Sequence, residues 1–74
     1  MGLFSKYVIW IEFKDGDEGY FYKIKDGKIF YTYNKYEAKI YNSSFSASSG
    51  LGELSAEINI NRIDTIDQIK IKKL

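Results

Sequence analysis

Residues 41–57, YNSSFSASSGLGELSAE, are rich in serine and carry Gly50 and Gly52 close together, inside a chain otherwise dense in tyrosine, isoleucine and lysine. Three readings compete for this stretch. A phosphate-cradling loop needs glycines that gather backbone N–H groups, followed by a helix N-terminus. Gly50 and Gly52 are present, but no Gly-Lys-Ser/Thr follows them. A helix would carry two interior glycines, each costing about 1 kcal/mol against alanine. Small polar residues mixed with glycine are the usual composition of a surface connection. The expectation is therefore a Ser/Gly-rich loop at about residues 42–52, with Ser48 and Ser49 offered as adaptable hydroxyl contacts. Beyond it, Leu54, Ala56, Ile58 and Ile60 alternate with Glu53, Ser55, Glu57 and Asn59, a period of two that predicts a strand.

Upstream, period two dominates. Residues 6–13, KYVIWIEF, are β-branched and aromatic and nearly apolar on both faces, as a central strand would be. Residues 20–25 and 28–34 alternate around Asp26-Gly27, and Asp-Gly between alternating runs is a strong hairpin signal because a type I′ turn needs positive φ at both central residues. A two-residue loop then sets Ile24 opposite Ile29, Tyr22 opposite Tyr31 and Tyr20 opposite Tyr33. Phe21, Lys23 and Lys25 take the other face, against Lys28, Phe30 and Thr32. Residues 36–42 read as a strand or one helical turn. Downstream, Ile69 and Ile71 alternate with Lys70 and Lys72 as a last strand, although Thr65-x-x-Gln68 also fits a capping box. The sum is a single domain over residues 1–74, all-β or β-dominant: an antiparallel sheet of five or six strands curled as a barrel or sandwich. The alternative is an α+β fold with one short helix within residues 35–57.

Composition narrows the chemistry. The chain has no cysteine and no histidine, which excludes disulfides and Cys/His zinc sites and leaves nucleophilic catalysis without its usual base. No spacing singles out a serine–lysine pair, so no enzyme is expected, and no cofactor. Eleven basic against ten acidic residues give a net charge of +1, with Arg62 the only arginine. Dedicated nucleic-acid binders carry a clear basic excess. The apolar run Val8 to Ile11 is too short for a signal sequence or a membrane span, so a soluble cytoplasmic protein is expected, without membrane contact.

Three features could form a binding surface. Asp15, Asp17 and Glu18 share an acidic turn; a calcium loop of the EF-hand type spreads its ligands over about twelve residues, so a solvated turn and no metal is the expectation. Tyr20, Tyr22, Tyr31 and Tyr33 fall on one face of the expected hairpin, and three uses stay open for them. They can be core, a stacking platform for bases with Lys23, Lys25 and Lys28 nearby for phosphate, or protein-binding anchors. The third feature is the serine stretch.

From Gly19 to Ala47, GYFYKIKDGKIFYTYNKYEAKIYNSSFSA resembles a pattern in small accessory proteins of phages of low-GC bacteria. A GYY-like strand pair is followed there by Thr-x-Asn/Asp, an Ala before an aliphatic-aromatic pair, then Ser and a second Ala. The matching residues are Thr32, Asn34, Ala38, Ile40-Tyr41, Ser44 and Ala47. The resemblance implies a role class, the stoichiometric inhibitor of host defence, anti-CRISPR proteins included, and transfers no residue role. The functional expectation is a non-enzymatic binding protein that occludes a host protein. The alternative is a ligand trap for a nucleotide or single-stranded nucleic acid, using tyrosine stacking and lysine–phosphate contacts, with homo-oligomerisation open in either case.

Overall fold

In the computed structural model, which describes residues 5–74, strands β1 (Tyr7–Phe13), β2 (Glu18–Lys25) and β3 (Lys28–Thr32) form an antiparallel meander. A short 3-10 turn, Lys35–Glu37, leads to helix α1 (Ser44–Ile60), and strand β4 (Ile66–Lys73) closes the chain. The sheet order is β3-β2-β1-β4, with β4 antiparallel to β1. β1 is central because its run of apolar residues can be buried from both sides. Ile9 and Ile11, paired with Ile71 and Ile69, face the helix and are fully buried, while Val8 and Trp10 point to the other face and are buried there. The core under α1 is Ile9, Ile11, Phe21 and Leu54, ringed by half-buried residues that include Phe13, Ile24, Ile29, Tyr41, Leu51 and Ile58.

The expected barrel or sandwich of five or six strands is corrected to an open sheet of four strands with one helix, an α+β arrangement. The serine stretch causes the difference. It is neither a loop at 42–52 nor, after it, a strand: residues 44–60 are one helix, longer than the short helix of the alternative reading. Its buried residues are Ala47, Gly50 and Leu54, with Leu51 and Ile58 half-buried, which is the 3.6 period of a helix. Of the apparent period-two set Leu54 and Ile58 face the sheet, whereas Ala56 and Ile60 point outward, Ile60 being 74% exposed. Ser43 caps the helix by accepting from the Ser46 N–H at 3.1 Å. At the far end Arg62 adopts a left-handed φ of 51°, with the Arg62 N–H bonded to the Asn59 carbonyl and the Ile63 N–H to that of Ile58, a Schellman closure. Glycine is needed at position 50 because a Cβ there would overlap the ring and hydroxyl of Tyr41.

The hairpin turn forms as read, with φ of 53° at Asp26 and 72° at Gly27 and with Ile24 opposite Ile29. The register then departs from the reading. A bulge at Tyr22 sets Lys23 opposite Phe30, Phe21 opposite Tyr31 and Tyr20 opposite Thr32. The extra residue lets Phe21 and Ile24, three apart, both face the helix, which simple alternation forbids. Burial of Phe21 to 7% exposure is the gain.

Past the Trp10–Tyr20 pair, β1 and β2 stop pairing. Residues 39–41 fill the opening. The Lys39 N–H donates to the Phe21 carbonyl at 2.9 Å, while Tyr41 exchanges two backbone bonds with Tyr7. The capping box considered at Thr65 is absent; β4 begins at Ile66, beside Thr65, whose carbonyl accepts from Lys14 N–H.

Candidate functional site

The acidic turn is engaged internally. Asp15 accepts from the Asp17 N–H, Glu18 from the Trp10 indole N–H at 2.9 Å, and Asp17 from the Tyr33 hydroxyl at 2.7 Å. Among the described residues no group of acidic side chains is arranged to hold a metal. The hydrogen bond to Asp17, more than any other cause, raises the Tyr33 phenol well above its ordinary pKa.

The four tyrosines do not share a face. Tyr31 and Tyr33 stand edge-to-face on the helix side, with centroids 5.7 Å apart, and Tyr31 also packs 4.7 Å from Phe13. Tyr20 lies on the opposite face, in register with Trp10 and Thr32. Tyr22 occupies the bulge and is 47% exposed.

Two surfaces emerge instead. The first is the outer face of the β2–β3 hairpin. Lys23 and Phe30 are cross-strand partners, as are Lys25 and Lys28, so all four project from the face opposite Ile24 and Ile29. The Lys23 ammonium sits 5.3 Å from the Phe30 ring centroid and 5.5 Å from that of Tyr22, within cation–π range. Phe30 is 40% exposed and the three lysines are exposed. Like charges directly opposite one another destabilise a sheet; Lys25 against Lys28 is such a pair.

The second is a cleft of about 820 Å³ where the sheet splits. Phe21 to Ile24 form one wall, Lys39 to Ser43 the base, and Ser46, Ser49, Gly50 and Glu53 of α1 the other wall. The Tyr41 phenol lies against Gly50, and burial, then the charge of Glu53, raises its pKa. Asn42 at the rim accepts from the Lys6 ammonium at 2.6 Å.

Of the two serines expected as contacts, Ser49 lines this cleft, whereas Ser48 is exposed and does not. Sequence reasoning missed Lys39, Tyr41 and Phe30. Lys39 and Tyr41 carry no local signal because their role depends on the parting of two strands distant in sequence. Phe30 was legible, since it alternates onto the lysine face of the hairpin. Compared with protein-family models, curated proteins and solved structures, the chain finds no match.

Proposed function

We propose that the protein is a non-enzymatic binding protein that occludes an acidic surface of a protein partner through the outer face of its β2–β3 hairpin. The observation carrying this reading is the Lys25–Lys28 pair beside Lys23, Phe30 and Tyr22: a basic–aromatic surface kept at a cost to the fold. An acidic partner would relieve that repulsion, and the exposed rings would act as anchors, with flanking lysines steering encounter. A net charge of +1 and a single arginine favour a protein partner over extended nucleic acid. The serines of the helix start bond one another as a cap, Ser43 to Ser46, which supports a structural use for them rather than nucleophilic chemistry. The role class that residues 19–47 resemble, a phage-encoded inhibitor of a host defence protein acting in the host cytoplasm, fits this mode of action. No helix among the described residues is long and apolar enough to cross a membrane.

The test is capture of partners from host cells with the tagged protein, followed by titration of the recovered partner against the Lys25→Glu/Lys28→Glu variant. The expected result is binding weakened by about tenfold or more, with moderate salt dependence for the native chain. Unchanged affinity in the variant would show that the hairpin is not the contact.

A further inference from the structure

We propose that the cleft between the β2 arm and α1 binds a small ligand of the nucleotide class, a planar ring carrying phosphate. This goes beyond the protein-occlusion reading; it shares Tyr22 and Lys23 with the hairpin face and adds Lys39, Ile40, Ser49 and Glu53.

The opening is a product of the fold. β1 and β2 separate after Trp10 and Tyr20, β2 carries its bulge at Tyr22 beside the opening, and Lys39–Tyr41 bridges the gap as a base. Bulges commonly re-aim side chains beside functional sites. The volume of about 820 Å³ falls in the range of small-molecule sites, about 300–1,000 Å³. Its two walls differ in chemistry. The strand side and base present Tyr22, 47% exposed, and Ile40, 37% exposed, as flat apolar surface for a ring. The helix side presents the hydroxyl of Ser49, that of Ser46 being engaged with Ser43 in the helix cap.

Charge selects the ligand further. Among the described residues Lys23 and Lys39 are the cations of the lining and Glu53 its only carboxylate, so this lining is net positive and suits an anion. The lysine ammonium groups act as point charges for phosphate. Glu53 at the helix end is an acceptor for an exocyclic amine of the ring. Ring, phosphate and amine together describe a nucleotide. The near-neutral overall charge limits the site to one or two nucleotides rather than a long strand.

The experiment is thermal unfolding of the full chain with four probes: adenosine 5′-monophosphate, a cyclic adenine dinucleotide, adenosine and inorganic phosphate. A nucleotide at about one hundred times its Kd should raise the Tm of a domain this small by roughly 10–20 °C. Adenosine or phosphate alone should do far less. Lys39→Glu and Tyr22→Ser, both at exposed positions, should each weaken the effect about tenfold, whereas Lys28→Glu should leave it intact. The proposal is overturned if neither nucleotide shifts the Tm, if phosphate alone shifts it as far, or if the shift survives Lys39→Glu and Tyr22→Ser. Any of these leaves the hairpin reading standing, because its test is made at Lys25 and Lys28, which lie outside the cleft lining.

Discussion

Gly50 and Gly52 look equivalent in sequence and have opposite roles. At Gly50 an added Cβ meets the Tyr41 ring and hydroxyl, so the missing side chain is what lets the cleft base lie against the helix. At Gly52 nothing lies within 4 Å of an added Cβ. Gly52→Ala should therefore stabilise the protein by about 0.5–1 kcal/mol through helix propensity. Gly50→Ala should destabilise it by about 1–3 kcal/mol through overpacking. Urea denaturation of the two variants side by side would measure both signs. Tyr33 supplies a pH signature of the native state. Its phenol is raised above the ordinary value of about 10. Above that pH the unfolded chain releases the proton while the folded chain still holds it, so stability falls as pH rises from about 10 upward. The Tyr41 phenol, raised by burial and by Glu53, works in the same direction. Denaturation midpoints across alkaline pH should decline less steeply in Tyr33→Phe than in the native protein.

At the scale of elements, the ends of α1 are set by short-range bonds and should respond to single changes. Removing the Ser43 cap in Ser43→Ala should cost about 1 kcal/mol. Arg62 holds a left-handed φ of 51° that glycine adopts without strain, so Arg62→Gly should raise stability by roughly 0.5–1 kcal/mol. Thermal unfolding by circular dichroism checks the pair, and equal destabilisation by both would contradict the closure described here. The hairpin divides into a legible half and an illegible one. Asp26-Gly27 sets its turn and the pairs next to it, because two adjacent residues with positive φ are a local matter. The bulge at Tyr22 answers to a distant demand, the burial of Phe21 in the core with Leu54 of α1, and no alternation pattern encodes it. The four-tyrosine face of the sequence reading failed for that reason.

For the whole molecule, the lysine face of the hairpin ties stability to function. Lys28→Glu converts the like-charge pair with Lys25 into an attractive one and should raise stability by a few tenths of a kcal/mol. If the hairpin is the contact surface, the same change should weaken binding to the acidic partner, a trade between stability and function. A variant that gains stability and keeps full binding would place the contact elsewhere. The two sheet edges also differ in protection. β4 carries Lys70, Lys72 and Lys73, and lysines discourage strand addition, whereas β3 leaves Phe30 and Tyr31 about 40% exposed along its length.

What the amino-acid sequence determined by itself is whatever rests on neighbouring residues: the buried central strand, the Asp26-Gly27 turn, the lysines aligned on one hairpin face, and the exclusion of Cys/His chemistry. Only the tertiary structure decided that serines and glycines at 44–52 are helix. Their intrinsic preference opposes helix, and it is outweighed by burying Ala47 and Leu54 and by letting Tyr41 close against Gly50. The cleft likewise exists because β1 and β2 part and a third segment crosses between them. Packing energy is summed over residues far apart in the chain, so it can override local preference while leaving no local trace.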